Sequence, residues 1–343
     1  MARSNYLAPL ALALGISVAS AQPASYVQSN AVTVGAPERW DYLMFDRPSN
    51  RLYLAHGDRV EVLDGRSGVL LGTVTGITGG THGTGISNGK GYTDDGKAGE
   101  VIVFDLKTFK ILSHIKARED ADGIVVDPKT GHVFVVDGDS AVVTVIDPKS
   151  DAVIATVAGG GGLEFAVADG RGKVYVNGAE KREIVRIDTA SNMADAHWPI
   201  PDCVSAHGLA IDPGANRLFV SCVNKVMTVV NADTGAVVTS LPIGAGTDAA
   251  AFDPVRKLVF SSNGADGTIS VIQEKSPNAY VSLGDIKTAL TGRTMTIDPS
   301  TGRLFVAAAA IDPAAPVPAG PNGRPGRPKP LPGSLKVLFL DPK

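Results

Sequence analysis

The chain reads as an all-β protein: a seven-bladed β-propeller of four-stranded antiparallel blades, with the ring closed by an N-terminal strand that completes the last blade. Three observations predict this. Thirty-nine glycines and twenty-two prolines among 343 residues, with few helix signals, favour many short strands joined by turns. One phrase returns seven times at a spacing near 42 residues, the length of a four-stranded blade. The two ends of the chain supply complementary parts of a single blade.

The phrase is clearest where Gly123-Ile124-Val125-Val126-Asp127-Pro128-Lys129-Thr130-Gly131 leads into His132-Val133-Phe134-Val135-Val136, and it returns around Asp212-Pro213, Asp253-Pro254 and Asp298-Pro299. Weaker copies stand at Asp46, Asn88 and Asp169, so that successive anchors are 42, 39, 42, 43, 41 and 45 residues apart. Each copy has a local cause. An apolar strand ends at Asp-Pro, where proline presets φ for a tight turn and aspartate bonds the backbone ahead; Gly or Asn then admits a positive φ before the second strand. Third strands follow at Val142 to Asp147, Val101 to Asp105 and Thr268 to Ile272, and outer fourth strands at Ala152 to Val157 and Ala236 to Leu241.

The last copy stops after its third strand, Leu335 to Leu340, while Asn30 to Gly35 reads as a fourth strand with no first three before it. Pairing the two completes blade seven and removes two exposed edges. Between the second and third strands of that blade, residues 310–333 form a Pro/Gly-rich insertion whose composition favours an extended loop. It carries Arg324, Arg327 and Lys329 on the face of the channel mouth, as a lid, a docking arm or an insertion without consequence.

Residues 1–21 have the order of a secretory signal: Arg3, an apolar run from Leu7 to Val18, then Ala19-Ser20-Ala21 before Gln22. Cleavage near Ala21/Gln22 leaves residues 22–343 as one propeller domain, periplasmic or secreted. No later stretch is long and apolar enough for a membrane span. Loss of Arg3 moves the formal charge from −3 to −4, which gives no electrostatic reason to expect nucleic acid or an anionic membrane. The two cysteines, Cys203 and Cys222, are too few to staple the fold but close enough around one hairpin to form a disulfide. No covalent haem motif or paired Cys-x-x-Cys zinc motif occurs.

The Asp-Pro-x-x-Gly turn with its Val-Phe-Val-Val or Leu-Phe-Val strand, and the Val-x-Val-Ile-Asp strand, resemble the motifs of the YVTN-repeat, YncE-like bacterial β-propeller family across essentially the whole mature chain. Phe-Val-Val-Asp, Tyr-Val-Asn-Gly and Phe-Val-Ser-Cys stand where that family has its literal Tyr-Val-Thr-Asn. The resemblance implies the fold, and for function only a range: DNA-binding periplasmic proteins, surface-layer proteins, lyases, lactonases and holders of redox cofactors.

In such a propeller the residue just before each innermost strand lies at the mouth of the central channel. Five residues back from each anchor stand Asp41, Gly83, Asp122, Glu164, His207, Asp248 and Arg293, with His82 beside Gly83. Ionisable groups converging on one opening suit a divalent cation, a polar ligand, or acid and base chemistry. Solvation of strand ends accounts for the same pattern without any function. His82, His207, Asp122 and Glu164 are candidate donors to zinc or another transition metal, although their separation offers no spacing motif.

Other matches are weaker. Gly85-Ile86-Ser87-Asn88-Gly89 has the letters of a nucleophile elbow but no helix to follow it. Gly159 to Gly162 lacks the lysine of a phosphate loop and reads as a connector. Asp94-Asp95-Gly96 and Asp137-Gly138-Asp139-Ser140 are calcium-loop fragments without the distal glutamate, best read as exposed hairpins. Trp40, Trp198 and Tyr42 either stack a ring-shaped ligand at the rim or fill the gaps between blades. The sequence therefore points to an exported, non-catalytic binding or interaction propeller that presents the mouth to a small molecule or a protein. The alternatives are a metal-assisted lyase or lactonase at the mouth and, by resemblance alone, single-stranded DNA binding. Catalytic residues, cofactor and ligand stay unassigned at this level.

Overall fold

The computed structural model describes residue 1 and residues 25–312, 314–316, 326 and 328–343. The predicted leader, Met1 apart, and residues 313, 317–325 and 327 of the inserted loop, Arg324 and Arg327 among them, lie outside the described residues. Seven antiparallel sheets of four strands each follow one another around a ring. In every blade the first strand is innermost: Leu43–Asp46, Thr84–Ser87, Ala121–Val126, Leu163–Ala168, Ala206–Asp212, Thr247–Asp253 and Thr294–Asp298, for blades one to seven. Among the described residues no helix is long and apolar enough to cross a membrane.

Ring closure has the expected arrangement and a longer reach. Tyr26–Thr33 pairs with Lys336–Pro342, with Asn30 opposite Phe339, Val32 opposite Val337, and contacts running back to Tyr26 opposite Pro342. Val34 donates its N–H to Leu335 O at 2.9 Å, carrying the pairing into the segment the sequence singles out.

The turns fold for the predicted reason. Asp127 accepts from the N–H groups of Lys129 and Thr130, each at 3.2 Å, and Gly131 closes the turn at φ 76°. Asn50, Asn216 and Gly302 take the same left-handed position after Asp46, Asp212 and Asp298. Blade six departs from the Gly/Asn rule: Lys257 sits there at φ 55°, and its Nζ reaches Asp212 of blade five at 2.7 Å. An inter-blade ion pair thus accompanies an otherwise unfavoured conformation.

The core is divided into seven apolar wedges, one between each pair of adjacent blades. Each second strand contributes one buried aromatic residue: Tyr53, Tyr92, Phe134, Tyr175, Phe219, Phe260 and Phe305. Burying such a side chain is worth about 1.5–3 kcal/mol, so the repeated aromatic supplies a comparable stabilisation at every wedge. Trp40 packs between blades seven and one, and Trp198 stacks on Tyr175 between blades four and five. Both tryptophans are gap fillers.

Two details correct the sequence reading. Asp94, Asp95 and Asp137 are buried at the ends of second strands, so the first of these hairpins is not the exposed one expected, while Asp139 and Ser140 of the second are exposed. In blades three to six the mouth residue is the second residue of the innermost strand and not the one before it; the register slips there, between Ala121 and Ile124, Leu163 and Ala166, Ala206 and Leu209, and Thr247 and Ala250. A bulge of this kind re-aims a side chain, here at the channel opening. The insertion leaves blade seven between Arg303–Ala308 and Lys336–Pro342, and its base is stapled by an Ile311 to Pro330 bridge and by Leu331 N–H on Ala310 O.

Candidate functional site at the channel mouth

The innermost strands surround a channel of about 420 Å³ whose wall is mainly apolar, with Met44, Ile86, Ile124, Val126, Val167 and Ile211 along it. Polar groups gather where these strands begin. Two residues ahead of His82, Asp122, His207, Asp248 and Arg293 the backbone turns left-handed, at Gly80, Asp120, Ser205, Gly246 and Thr291. A shared entry turn, followed by a bulge for Asp122, His207 and Asp248, therefore delivers these side chains to one rim.

They form two connected groups. In the first, His82 Nδ1 lies 2.7 Å from Asp94 Oδ2, while Asp94 Oδ1 accepts the N–H groups of His82 and Gly83, each at 2.8 Å. Burial opposes charge on this histidine, but the hydrogen bond and charge of Asp94, then Asp122 and Asp41, outweigh it and hold the pKa up at about 9. Burial pushes the Asp94 carboxyl upward as well, and its bonds to His82 and the two backbone donors oppose that shift. Arg39 Nη2 approaches His82 Nε2 at 3.3 Å, a contact that requires an unprotonated Nε2. Charging the ring must turn the exposed Arg39 outward.

In the second group, His207 Nδ1 is 2.8 Å from Asp248 Oδ1 and 3.6 Å from Glu164 Oε2, while its Nε2 faces Ser205 Oγ at 3.2 Å. Arg293 ion-pairs with Asp248 Oδ2, lies 3.6 Å from Asp41 Oδ2, donates to Trp40 O at 2.7 Å and covers the Trp40 ring. Asp41 thereby links the two groups.

Asp122 sits between them. Burial, reinforced by the charges of Asp41, Asp94 and Glu164 and opposed by His82, pushes its carboxyl well above the ordinary range. Its Oδ1 is sealed from solvent with no hydrogen-bond partner among the described residues. Tyr42 closes the throat beneath, 8% exposed, its ring 4.6 Å from that of Phe165. Burial and the carboxylates of Asp122, Asp248, Asp41 and Glu164 keep its hydroxyl protonated.

Every ionisable residue the repeat placed at the mouth is thus in one of these groups or bridges them. The metal reading fares differently. His82 and His207 turn to separate carboxylates, and among the described residues no set of three or more His, Cys, Asp or Glu side chains is placed to hold a metal ion. Sequence counting also passed over Asp94, Ser205 and Arg39. A disulfide joins Cys203 to Cys222, Cα atoms 5.4 Å apart, two residues before Ser205. Another hollow of about 450 Å³ lies on the opposite face between blades seven and one. Its Arg303 is engaged bidentately by Asp341 and also bonds Gly65 O, which leaves the mouth as the better candidate.

The fold defines the class: a seven-bladed β-propeller with WD40-like neighbours. The RRP9 WD40 repeats superpose with a TM-score of 0.75 at 12% identity over 93% of this chain and 99% of that one. A chain of the mitotic checkpoint complex gives 0.70 at 16% identity over 96% and 98%. A chain of Kuenenia stuttgartiensis hydrazine synthase gives 0.68 at 13% identity over 82% and 94%. Identities this low speak for the fold alone. No family model and no curated protein matches the sequence.

Proposed function

We propose that the chain is an exported binding or interaction propeller of the YVTN-repeat type that presents its channel mouth to a small polar ligand or a protein partner. One observation carries the reading: paired charges converge over an apolar channel while Asp122 Oδ1, at their centre, is buried and unsatisfied. A buried acceptor without a partner is costly, by about 1–3 kcal/mol, and a donor on a bound molecule removes that cost. The carboxylate-rich rim favours cationic or hydrogen-bond-donating groups and disfavours a nucleic-acid backbone. Export rests on the leader sequence, and the protein recovered from the periplasmic or secreted fraction is expected to begin at Gln22.

Site-specific photo-crosslinking in the producing cells tests the face. A benzophenone side chain at Asp202, exposed beside the mouth, is expected to give discrete adducts, and one at Val255, exposed on the opposite face, is expected to give none. Equal adducts at both positions, or adducts at Val255 alone, place binding elsewhere. Asp122→Asn should diminish the Asp202 adducts.

A further inference from the structure

The geometry points to Ser205 as a reactive nucleophile, with His207 as its base and Asp248 as the group that orients the base, so that the mouth carries out acyl transfer on a small carboxylic ester. This goes beyond binding and does not depend on it. Asp248 Oδ1 takes the Nδ1–H of His207 at 2.8 Å, which leaves Nε2 as the acceptor for the Ser205 hydroxyl at 3.2 Å. Nucleophile, base and orienting carboxylate thus follow in the order that activates a serine, each on the required nitrogen. Arg293 holds the other oxygen of Asp248 and fixes the carboxylate in place.

The support is rigid. Val223 N–H bonds both Val204 O and Ser205 O, at 3.1 and 3.2 Å; Asn224 Oδ1 accepts Val204 N–H at 3.0 Å, and Asn224 Nδ2 donates to Asp202 O at 2.9 Å. The Cys203–Cys222 disulfide ties the same loop to the second strand of blade five. The left-handed backbone of Ser205 is the entry turn shared with other blades, where Gly, Asp or Thr occupies the position. What singles out blade five is a hydroxyl at that turn with an imidazole two residues on. His207 is 19% exposed, which leaves the pair open to a molecule at the rim.

In the reaction Ser205 Oγ bonds the ester carbonyl carbon while its proton passes to His207 Nε2. The C–O bond then breaks, and the alcohol leaves with that proton. Water releases the acyl group by the reverse proton path, so no other reactant is consumed. Glu164, 3.6 Å from the His207 ring, sets negative charge beside the base, so neutral or cationic esters are favoured over anionic ones.

The test is labelling of the full chain with a fluorophosphonate, in which an Oγ–P bond forms and fluoride leaves, followed by peptide mass spectrometry. The adduct is expected on Ser205, to be absent in Ser205→Ala, and to form at least roughly 100-fold more slowly in His207→Ala and Asp248→Asn. p-Nitrophenyl acetate should give a nitrophenolate burst stoichiometric with protein, and its anionic hemisuccinate counterpart a burst at least roughly tenfold slower. No adduct on Ser205, an adduct on another serine alone, or labelling unchanged in folded His207→Ala overturns the assignment. Should His207→Ala fail to fold, the location of the adduct in the parent and its loss in Ser205→Ala decide the matter. The Asp202 crosslinking pattern is expected to persist in Ser205→Ala, so the binding reading and this one fail separately.

Discussion

The two mouth histidines occupy the same rim and live in opposite environments. His82 is tied at Nδ1 to a carboxylate that is 0% exposed and that also collects two backbone N–H groups, so the ring is held as a cation and the node fixes the start of blade two. His207 shares a less buried carboxylate with Arg293 and turns its second nitrogen to a hydroxyl. A histidine whose carboxylate is sealed is a structural clamp, whereas one whose far nitrogen meets a hydroxyl is equipped to move a proton.

The comparison breaks most easily at Asp94. Asp94→Ala strands a half-buried imidazolium and two backbone donors, and we expect a loss of about 3–5 kcal/mol in urea unfolding. A loss below about 1 kcal/mol would remove the clamp reading. Next in size is the tether of the other node: replacing Cys203 and Cys222 together by serine opens a loop of sequence separation 19 and should cost about 3 kcal/mol, read as a lower melting temperature. The same variant should label more slowly at Ser205.

The pH dependence sharpens the contrast further. His82 titrates near 9 in the folded protein against an ordinary 6.5, so its contribution is fully present below pH 6.5 and is lost as pH rises through about 9. At about 1.4 kcal/mol for each tenfold gain in proton affinity the histidine alone accounts for roughly 3 kcal/mol, and the burial that pushes Asp94 up offsets part of it. Denaturation midpoints should fall between pH 6.5 and 9, and His82→Gln should flatten that slope. The smallest effect is expected for Ser205→Ala, within about 0.5 kcal/mol of the parent in stability, although it removes the reactive group.

How much of this was legible beforehand follows from which contacts are periodic. Asp127, Asp212, Asp253 and Asp298 each mark a turn, and counting back from them finds Asp122, His207, Asp248 and Arg293 because blade geometry repeats. Asp94 is not on that count; it faces the mouth from the second strand. The signal was nevertheless present, since a tight hairpin at Asn88-Gly89 pairs Ser87 with Lys90 and Thr84 with Thr93, and so sets Asp94 beside Gly83. Ser205 could not be found by repetition, because its importance lies in a hydroxyl set two residues before an imidazole, a combination the matching turns at Gly80, Asp120, Gly246 and Thr291 do not repeat. The division of the rim into two groups depends on rotamers and on Asp41 of blade one reaching Arg293 of the adjacent blade seven, which no one-dimensional spacing encodes.

The strand that completes blade seven also sets a timetable. Ser29 Oγ bonds Phe339 O across 310 residues of chain, so the first strand waits, unpaired, until nearly all of the sequence is available. Closing so long a loop adds little to the equilibrium cost, since each doubling of length takes only about 0.6 kcal/mol, but contacts this remote form slowly. Six blades can assemble while the seventh stays open. For a polypeptide that we propose is threaded through a membrane before it folds, arrival of the last strand is the event that commits the molecule to its final shape.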